Sequence, residues 1–154
     1  MKIVCVGRNY VDHAKELGNE MPAEPLLFLK PPSSIIAAGQ PIRLPAVSNR
    51  VEFEGEVGIV VARALCDATE DEAAAAIGSV VAANDVTARD LQKSDSQWTR
   101  GKGFDTFCPV GDPAPAPGDL QSLAVVTRVN GEERQRGGVS DMAFSIPMIL
   151  SYLS

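Results

Sequence analysis

The sequence has 154 residues, of which 45% are hydrophobic and 22% are charged, and its formal net charge at pH 7 is −6. These values are typical of one globular domain with a moderate core. The acidic balance argues against partners such as nucleic acid or an anionic membrane, because both attract a basic protein face. No apolar run approaches the roughly 20 residues of a membrane-spanning helix, so we expect a cytoplasmic protein.

The three cysteines are Cys5, Cys66 and Cys108, which lie far apart and form no C-x-x-C motif. This pattern predicts free buried thiols in a reducing cytoplasm, and it indicates neither a zinc site nor a disulfide framework. The N-terminal residues 1–6 lack the charged-then-apolar pattern of a signal peptide and instead contain a predicted short strand.

The first half of the chain alternates short strands with turns. Residues 3–6 are predicted as the first strand, and residues 10–17 as a short helix that ends at Gly18. Residues 22–50 contain six prolines, which exclude a long helix and favour edge strands and turns. The apolar residues 57–61 are predicted as a buried strand.

The middle of the chain contains a helix start that can be recognised from spacing. Thr69 and Glu72 have the spacing of a capping box, which predicts an alanine-rich helix continuing to Ile77. The apolar residues 77–83 are predicted as the next strand, and the polar, glycine-containing residues 92–103 as a surface loop.

The last third of the chain contains the strongest local signals. Asn130-Gly131 lies between two strand-like runs at 123–129 and 132–136, which predicts a β-hairpin. Residues 145–153 are predicted as a helix with Ser145 as its N-cap and Pro147 in its first turn.

Two acidic residues precede the predicted strand at 57–61. Glu54 and Glu56 are two residues apart, so on a strand both point to the same side. Two buried like charges cost several kcal/mol unless a cation neutralises them, and carboxylate oxygens suit magnesium, manganese or calcium. The alternative is a solvated acidic edge, and Glu52 shares the same face.

A third carboxylate follows the predicted strand at 77–83. Asp85 beside the Glu-x-Glu strand would supply three oxygen ligands and leave room for water and substrate. The alternative is that Asp85 or Asp90 caps a short helix predicted at 87–92, and for Asp90 capping or salt-bridging is the favoured interpretation.

Several other side chains are candidates for chemistry, each with a simpler alternative. His13 is the only histidine, and Glu16 follows on the same helical face, so the two form either a general-base dyad or a surface pair. Lys102 lies between two glycines, where it contacts an anion or is an ordinary loop lysine. Lys30 ends an apolar run and either reaches the surface or faces the site. Arg8 binds a carboxylate or closes a turn.

Six segments together resemble the fumarylacetoacetate hydrolase family, in particular its short, acylpyruvate-hydrolase-like branch. They follow in family order as VGRNYVDHAKELG, FLKPPSSI, FEGEVGIVV, ANDVTARDLQ, GKGFDTFCPVG and SDMAFSIPMILSYLS. The resemblance implies a β-rich α+β fold, a mixed β-roll with short helices, in one catalytic domain over residues 1–154. Family members continue past the last helix into further strands and a Gly-Thr-Pro loop, so we expect this chain to be C-terminally incomplete.

The resemblance also implies roles for individual residues. It implies a site for Mg²⁺ or Mn²⁺, with Ca²⁺ as a substitute, and a homodimer that binds a small 2-keto acid. The implied residues are Glu54, Glu56 and Asp85 as metal ligands, His13, Glu16 and Lys102 as catalytic groups, and Arg8 and Gln92 as substrate contacts.

The implied reaction is hydrolysis of a C–C bond in acylpyruvate-type 2,4-diketo acids, through a pyruvate enolate that the metal stabilises. The same enolate chemistry suits an oxaloacetate decarboxylase or tautomerase, or a 2-hydroxymuconate-type isomerase or decarboxylase. An alternative of another class is a truncated, non-catalytic remnant that binds metal and keto acid or only dimerises.

Overall fold

The computed structural model describes residues 1–10 and 22–154. In this part of the chain the structure is mixed α+β and rich in strands, as predicted. The predicted helix at 10–17, with His13 and Glu16, lies outside the described residues except for Tyr10.

The strands are β1 (Ile3–Gly7), β2 (Leu26–Lys30), β3 (Ile35–Ala37), β4 (Val51–Glu52), β5 (Gly55–Val61), β6 (Ile77–Asn84), β7 (Thr87–Ala88), β8 (Cys108–Val110), β9 (Ala114–Pro115), β10 (Ala124–Val129) and β11 (Glu132–Gly138). The α-helices are α1 (Glu70–Ala74), α2 (Arg89–Ser94), α3 (Thr99–Lys102) and α4 (Ile146–Leu153).

The chain forms two compact units, each assembled from separate stretches of sequence. The first unit contains Met1–Val6, Leu27–Glu56 and Ala82–Asp112. The second contains Gly7–Leu26, Val57–Val81 and Pro113–Ser154. Strands β5 and β6 therefore contribute residues to both units. The single domain over residues 1–154 stays a prediction.

The first unit is built on short strand pairings around a small apolar core. Strand β3 runs parallel to β8, β8 is antiparallel to β6, and β4 is antiparallel to β7. The core contains Val86, Ala88, Leu91 and Phe107, all buried. Three of these four residues fall within 86–91, so the core holds in place the segment that directly follows Asp85.

The second unit confirms the local signals of the sequence. Strands β10 and β11 pair antiparallel around Asn130 and Gly131, whose φ angles of 53° and 84° are those of a type I′ turn. Thr69 and Glu72 form the predicted capping box at the start of α1. Ser145 caps α4 by accepting a hydrogen bond from the Met148 amide at 3.2 Å.

Two predictions about element boundaries were wrong. The residues predicted as a surface loop at 92–103 contain the end of α2 and all of α3, and Gly101 and Lys102 are buried. A Cβ at Gly101 would lie 2.8 Å from the Gln92 backbone nitrogen, so this glycine lets the two short helices pack closely. Helix α1 ends at Ala74 rather than Ile77, because Ile77 already begins β6.

Predictions about single side chains also need correction. Cys108 is buried, Cys5 is half-buried and Cys66 is exposed, so the prediction of buried thiols fails for Cys66. Asp90 does not cap α2, whose N-cap is Ala88. The Asp90 carboxylate instead accepts hydrogen bonds from the Ser48 hydroxyl at 2.6 Å and the neighbouring Asn49 amide at 2.8 Å. Among the described residues, no helix is long and apolar enough to cross a membrane.

The packing at Gly101 predicts the effect of a single methyl group. Gly101→Ala should lower the free energy of unfolding by about 1–3 kcal/mol, because the Gln92 backbone cannot move away as a flexible side chain would. Gly118→Ala is the matched control, since a Cβ there meets nothing within 4 Å. Urea denaturation of both variants checks this expectation, and equal midpoints would contradict the close approach of α2 and α3.

Candidate functional site

Backbone hydrogen bonds bring two of the predicted acidic residues together. The Asp85 amide donates to the Glu54 carbonyl at 2.8 Å. The Glu54 amide donates to the side-chain oxygen of Asn84 at 3.0 Å. These bonds join the residue before β5 to the residues at the end of β6, so both carboxylates emerge at the same place in the first unit.

A buried lysine bridges these two carboxylates. The Lys102 ammonium donates to Glu54 Oε2 at 2.6 Å and to Asp85 Oδ2 at 2.5 Å. Lys102 is the last residue of α3 and is only 2% exposed. Its Nζ also lies 5.1 Å from the centre of the Phe28 ring. The sequence left open an ordinary loop lysine, and the burial and ion pairs of Lys102 exclude that alternative.

A second buried lysine reaches the other oxygen of Asp85. The Lys30 ammonium donates to Asp85 Oδ1 at 2.6 Å and to the Val86 carbonyl at 3.3 Å. Lys30 is also 2% exposed. It therefore faces the site rather than the surface, and each oxygen of Asp85 accepts from a different ammonium group.

An arginine that the sequence reasoning missed holds Glu54 from the other side. Arg89, the first residue of α2, donates through Nη2 to Glu54 Oε1 at 2.5 Å and through Nε to Glu52 Oε2 at 2.8 Å. Its Nη1 donates to the Gln92 side-chain oxygen at 2.8 Å. The antiparallel pairing of β4 with β7 sets Glu52 opposite Thr87, which brings Arg89, two residues later, close to Glu52. The only sequence signal was an arginine four residues after Asp85.

The electrostatic environments of the two glutamates differ. Burial alone would raise the pKa of Glu54, but the Lys102 and Arg89 cations outweigh it and hold that pKa below its usual value. Burial raises the pKa of Glu56 to about 8, with further contributions from the negative charges of Glu54 and Asp85. Glu56 is thus close enough to Glu54 and Asp85 for their negative charges to oppose its ionisation, although burial is the larger cause.

The donor chemistry of this cluster fits a divalent cation. Three carboxyl groups offer the hard oxygen ligands that Mg²⁺ and Mn²⁺ prefer. The Lys102 ammonium already lies between two of them as a bound positive charge. Within residues 1–10 and 22–154, no three acidic, histidine or cysteine side chains have metal-holding geometry. The present arrangement therefore places an ammonium where the resemblance implies a metal.

The remaining predicted residues fall into three groups. Gln92 joins the cluster through its hydrogen bond to Arg89. Arg8 belongs to the second unit, is exposed, and has a left-handed φ of 57°. His13 and Glu16 lie outside the described residues, so their roles stay predictions.

The cysteines of the first unit are not activated nucleophiles. Burial, followed by the charge of Asp85, raises the pKa of the Cys5 thiol to about 12. Burial also raises the pKa of Cys108. A thiol with a raised pKa is mostly protonated at neutral pH and reacts slowly, so neither thiol has the environment of a nucleophile.

Comparison with known families gives one match over nearly the whole chain. Residues 2–154 match the family described as fumarylacetoacetate (FAA) hydrolase C-terminal. An oxaloacetate tautomerase of Arabidopsis thaliana mitochondria is 43% identical over 159 residues, which cover 99% of this chain and 71% of the relative. Against three other curated relatives, the chain spans 59%, 65% and 61% of their length.

Two solved structures carry different activities on the same fold. The 2-hydroxyhepta-2,4-diene-1,7-dioate isomerase from Mycobacterium marinum has a TM-score of 0.88 and 43% identity, covering 99% of this chain and 57% of that one. The fumarylpyruvate hydrolase from Pseudomonas aeruginosa, in complex with Mn²⁺ and pyruvate, has a TM-score of 0.87 and 30% identity. That match covers 100% of this chain and 71% of the hydrolase.

Proposed function

Because this chain belongs to the fumarylacetoacetate hydrolase family, we propose that it is a divalent-metal-dependent enzyme acting on small 2-oxo acids. The first candidate reaction is hydrolysis of a C–C bond in acylpyruvate-type 2,4-diketo acids. The observation that carries the proposal is the pair of carboxylates, Glu54 and Asp85, joined by the buried ammonium of Lys102. Their negative charges also contribute to the raised pKa of Glu56.

Glu54, Glu56 and Asp85 are the proposed ligands of Mg²⁺ or Mn²⁺. Their carboxylate oxygens suit either ion, and the Mn²⁺ in the hydrolase of P. aeruginosa supports the choice of a divalent metal. When bound, such an ion supplies Lewis acidity that stabilises negative charge on a substrate oxygen. The contacts of Arg89 with both Glu52 and Glu54 orient one of these ligands.

Lys102 is the proposed source of positive charge at the substrate. Its ammonium is buried, so its interaction with developing negative charge is weakly screened by water. The Phe28 ring beside it supports the position of the ammonium group. Arg8 and Gln92 are the proposed polar contacts of the substrate carboxylate.

The hydrolytic reaction requires an activated water molecule. We assign its activation to His13, oriented by Glu16, as the resemblance implies. His13 takes a proton from water, and the hydroxide adds to the 4-oxo carbon of the substrate. The bond between C3 and C4 then breaks, its electron pair stays with the three-carbon fragment, and a proton on C3 yields pyruvate and a carboxylic acid.

The second candidate is tautomerisation, isomerisation or decarboxylation of oxaloacetate-like acids. The name of the A. thaliana relative and that of the M. marinum isomerase favour it as strongly as the hydrolase name favours the first. These reactions also pass through an enolate but need no attacking water.

The homodimer implied by the resemblance remains a proposal, which light scattering in solution would test.

Removal of metal should abolish turnover by the purified chain. We expect loss of acetylpyruvate, or enol-to-keto conversion of oxaloacetate, to stop after chelation and to return with Mg²⁺ or Mn²⁺. Glu54→Gln should lower the rate at least 100-fold, whereas Glu132→Gln, at an exposed glutamate of the hairpin, should leave it unchanged. Turnover that survives chelation would contradict the proposal, and metal binding without turnover would favour the non-catalytic alternative.

His13→Ala separates the two candidate reactions. We expect acetylpyruvate hydrolysis to fall by about 10²–10⁴-fold, since general-base activation of water is lost. Conversion of oxaloacetate between its enol and keto forms should fall much less, because no water attacks. Ultraviolet absorbance follows both reactions, and unchanged hydrolysis would contradict the assignment of His13.

A further inference from the structure

Strand β2 supports both ammonium groups of the site. Phe28 and Lys30 are two residues apart on this strand, so their side chains point to the same side. The Phe28 ring lies against the Lys102 ammonium and packs edge-to-face on Trp98, with ring centres 5.3 Å apart. Lys30 meanwhile reaches Asp85 directly. The two inward residues of β2 thus contact opposite ends of the same ion-pair network.

The two lysines make different kinds of contact. Lys102 bridges two carboxylates, Glu54 and Asp85, both of which are proposed metal ligands. Lys30 bonds one carboxylate oxygen and the main-chain carbonyl of Val86, the residue directly after Asp85. A metal ion bound to Glu54 and Asp85 would therefore compete with Lys102 for the carboxylate oxygens. The hydrogen bond from Lys30 to Val86 uses a main-chain carbonyl oxygen, for which the proposed metal does not compete.

Stability alone does not account for a lysine in this place. A buried ion pair costs several kcal/mol in desolvation, and apolar replacements of similar volume are often neutral or stabilising. The Lys30 side chain is 1% exposed, and that of Asp85 is 10% exposed. The pair does, however, define which oxygen of Asp85 faces which neighbour.

We propose that Lys30 is a positioning residue for the metal ligand Asp85. By holding Oδ1 and the Val86 carbonyl together, it fixes the plane of the carboxylate so that Oδ2 points to the Lys102 ammonium, which also bonds Glu54. The Thr87 hydroxyl, which donates to the Asp85 carbonyl at 2.9 Å, holds the backbone of the same residue. The inference rests on the proposed function, because it assumes that Asp85 ligates a divalent ion.

Charge and positioning predict opposite results when Lys30 is removed. A positive charge beside a cation site opposes metal binding, so its loss should strengthen binding if Lys30 acts by charge alone. Loss of an outer-shell hydrogen bond that orients a ligand typically weakens metal affinity about 10–100-fold. The sign of the change in metal affinity therefore distinguishes the two roles.

The test measures Mn²⁺ binding by electron paramagnetic resonance, without substrate, on variants whose folding is checked by thermal unfolding. Lys30→Met keeps the apolar stem and should raise the Kd for Mn²⁺ at least about tenfold. Lys30→Gln, whose side chain is neutral but still carries a hydrogen-bond donor, should raise the Kd for Mn²⁺ by a smaller factor. Lys93→Met removes an exposed lysine of α2 and should leave the Kd unchanged.

Any other outcome refutes either the positioning role of Lys30 or the proposed metal site. Folded Lys30→Met protein that binds Mn²⁺ as tightly as the parent chain, or more tightly, refutes the positioning role and leaves the metal site intact. Unfolding of both Lys30 variants while Lys93→Met folds assigns Lys30 to stability and also refutes it. If the parent chain binds no Mn²⁺, the proposed function itself fails.

Discussion

The structure of the site depends on the neutralisation of one buried carboxylate, that of Asp85. Its two oxygens accept from the ammonium groups of Lys30 and Lys102, at 2.6 and 2.5 Å. A buried charge left unpaired costs several kcal/mol, so the segments that carry these three side chains must meet. Lys30 lies at the end of β2, Lys102 at the end of α3, and Asp85 directly after β6, which explains why such short elements are packed together.

The same cluster has unequal charge around its two glutamates. Arg89 and Lys102 compensate Glu54, while burial and the neighbouring carboxylates raise the pKa of Glu56 to about 8. A divalent cation would supply the positive charge that surrounds Glu54 and Asp85 but is scarce around Glu56. The proposed binding of a metal rests on these carboxylate donors together with membership of the family, and the raised pKa of Glu56 agrees with it.

Patterns local in sequence predicted much of this arrangement. Period-two spacing and strand ends made Glu54, Glu56 and Asp85 candidates, but only the family resemblance selected them over Glu52, and their role as metal ligands stays a prediction. Turn and cap chemistry identified the hairpin and α4 correctly. The inward orientation of Lys30 and the contacts of Arg89 were not predictable, because they depend on which strands pair. The surface loop predicted at 92–103 failed for a related reason: Gly101 marks close packing of two helices, and glycine in a polar stretch normally indicates a turn.

The central claim is that Glu54, Glu56 and Asp85 form one metal site from which Lys102 is displaced. A crystal structure of the chain grown with Mn²⁺, with anomalous diffraction to locate the ion, tests this most directly. The account predicts one strong anomalous peak within about 2.0–2.6 Å of oxygens from all three residues, with Lys30 still bonded to Asp85 and Lys102 no longer bridging the carboxylates. A fully loaded crystal with the ion elsewhere, and Lys102 still between Glu54 and Asp85, would contradict it.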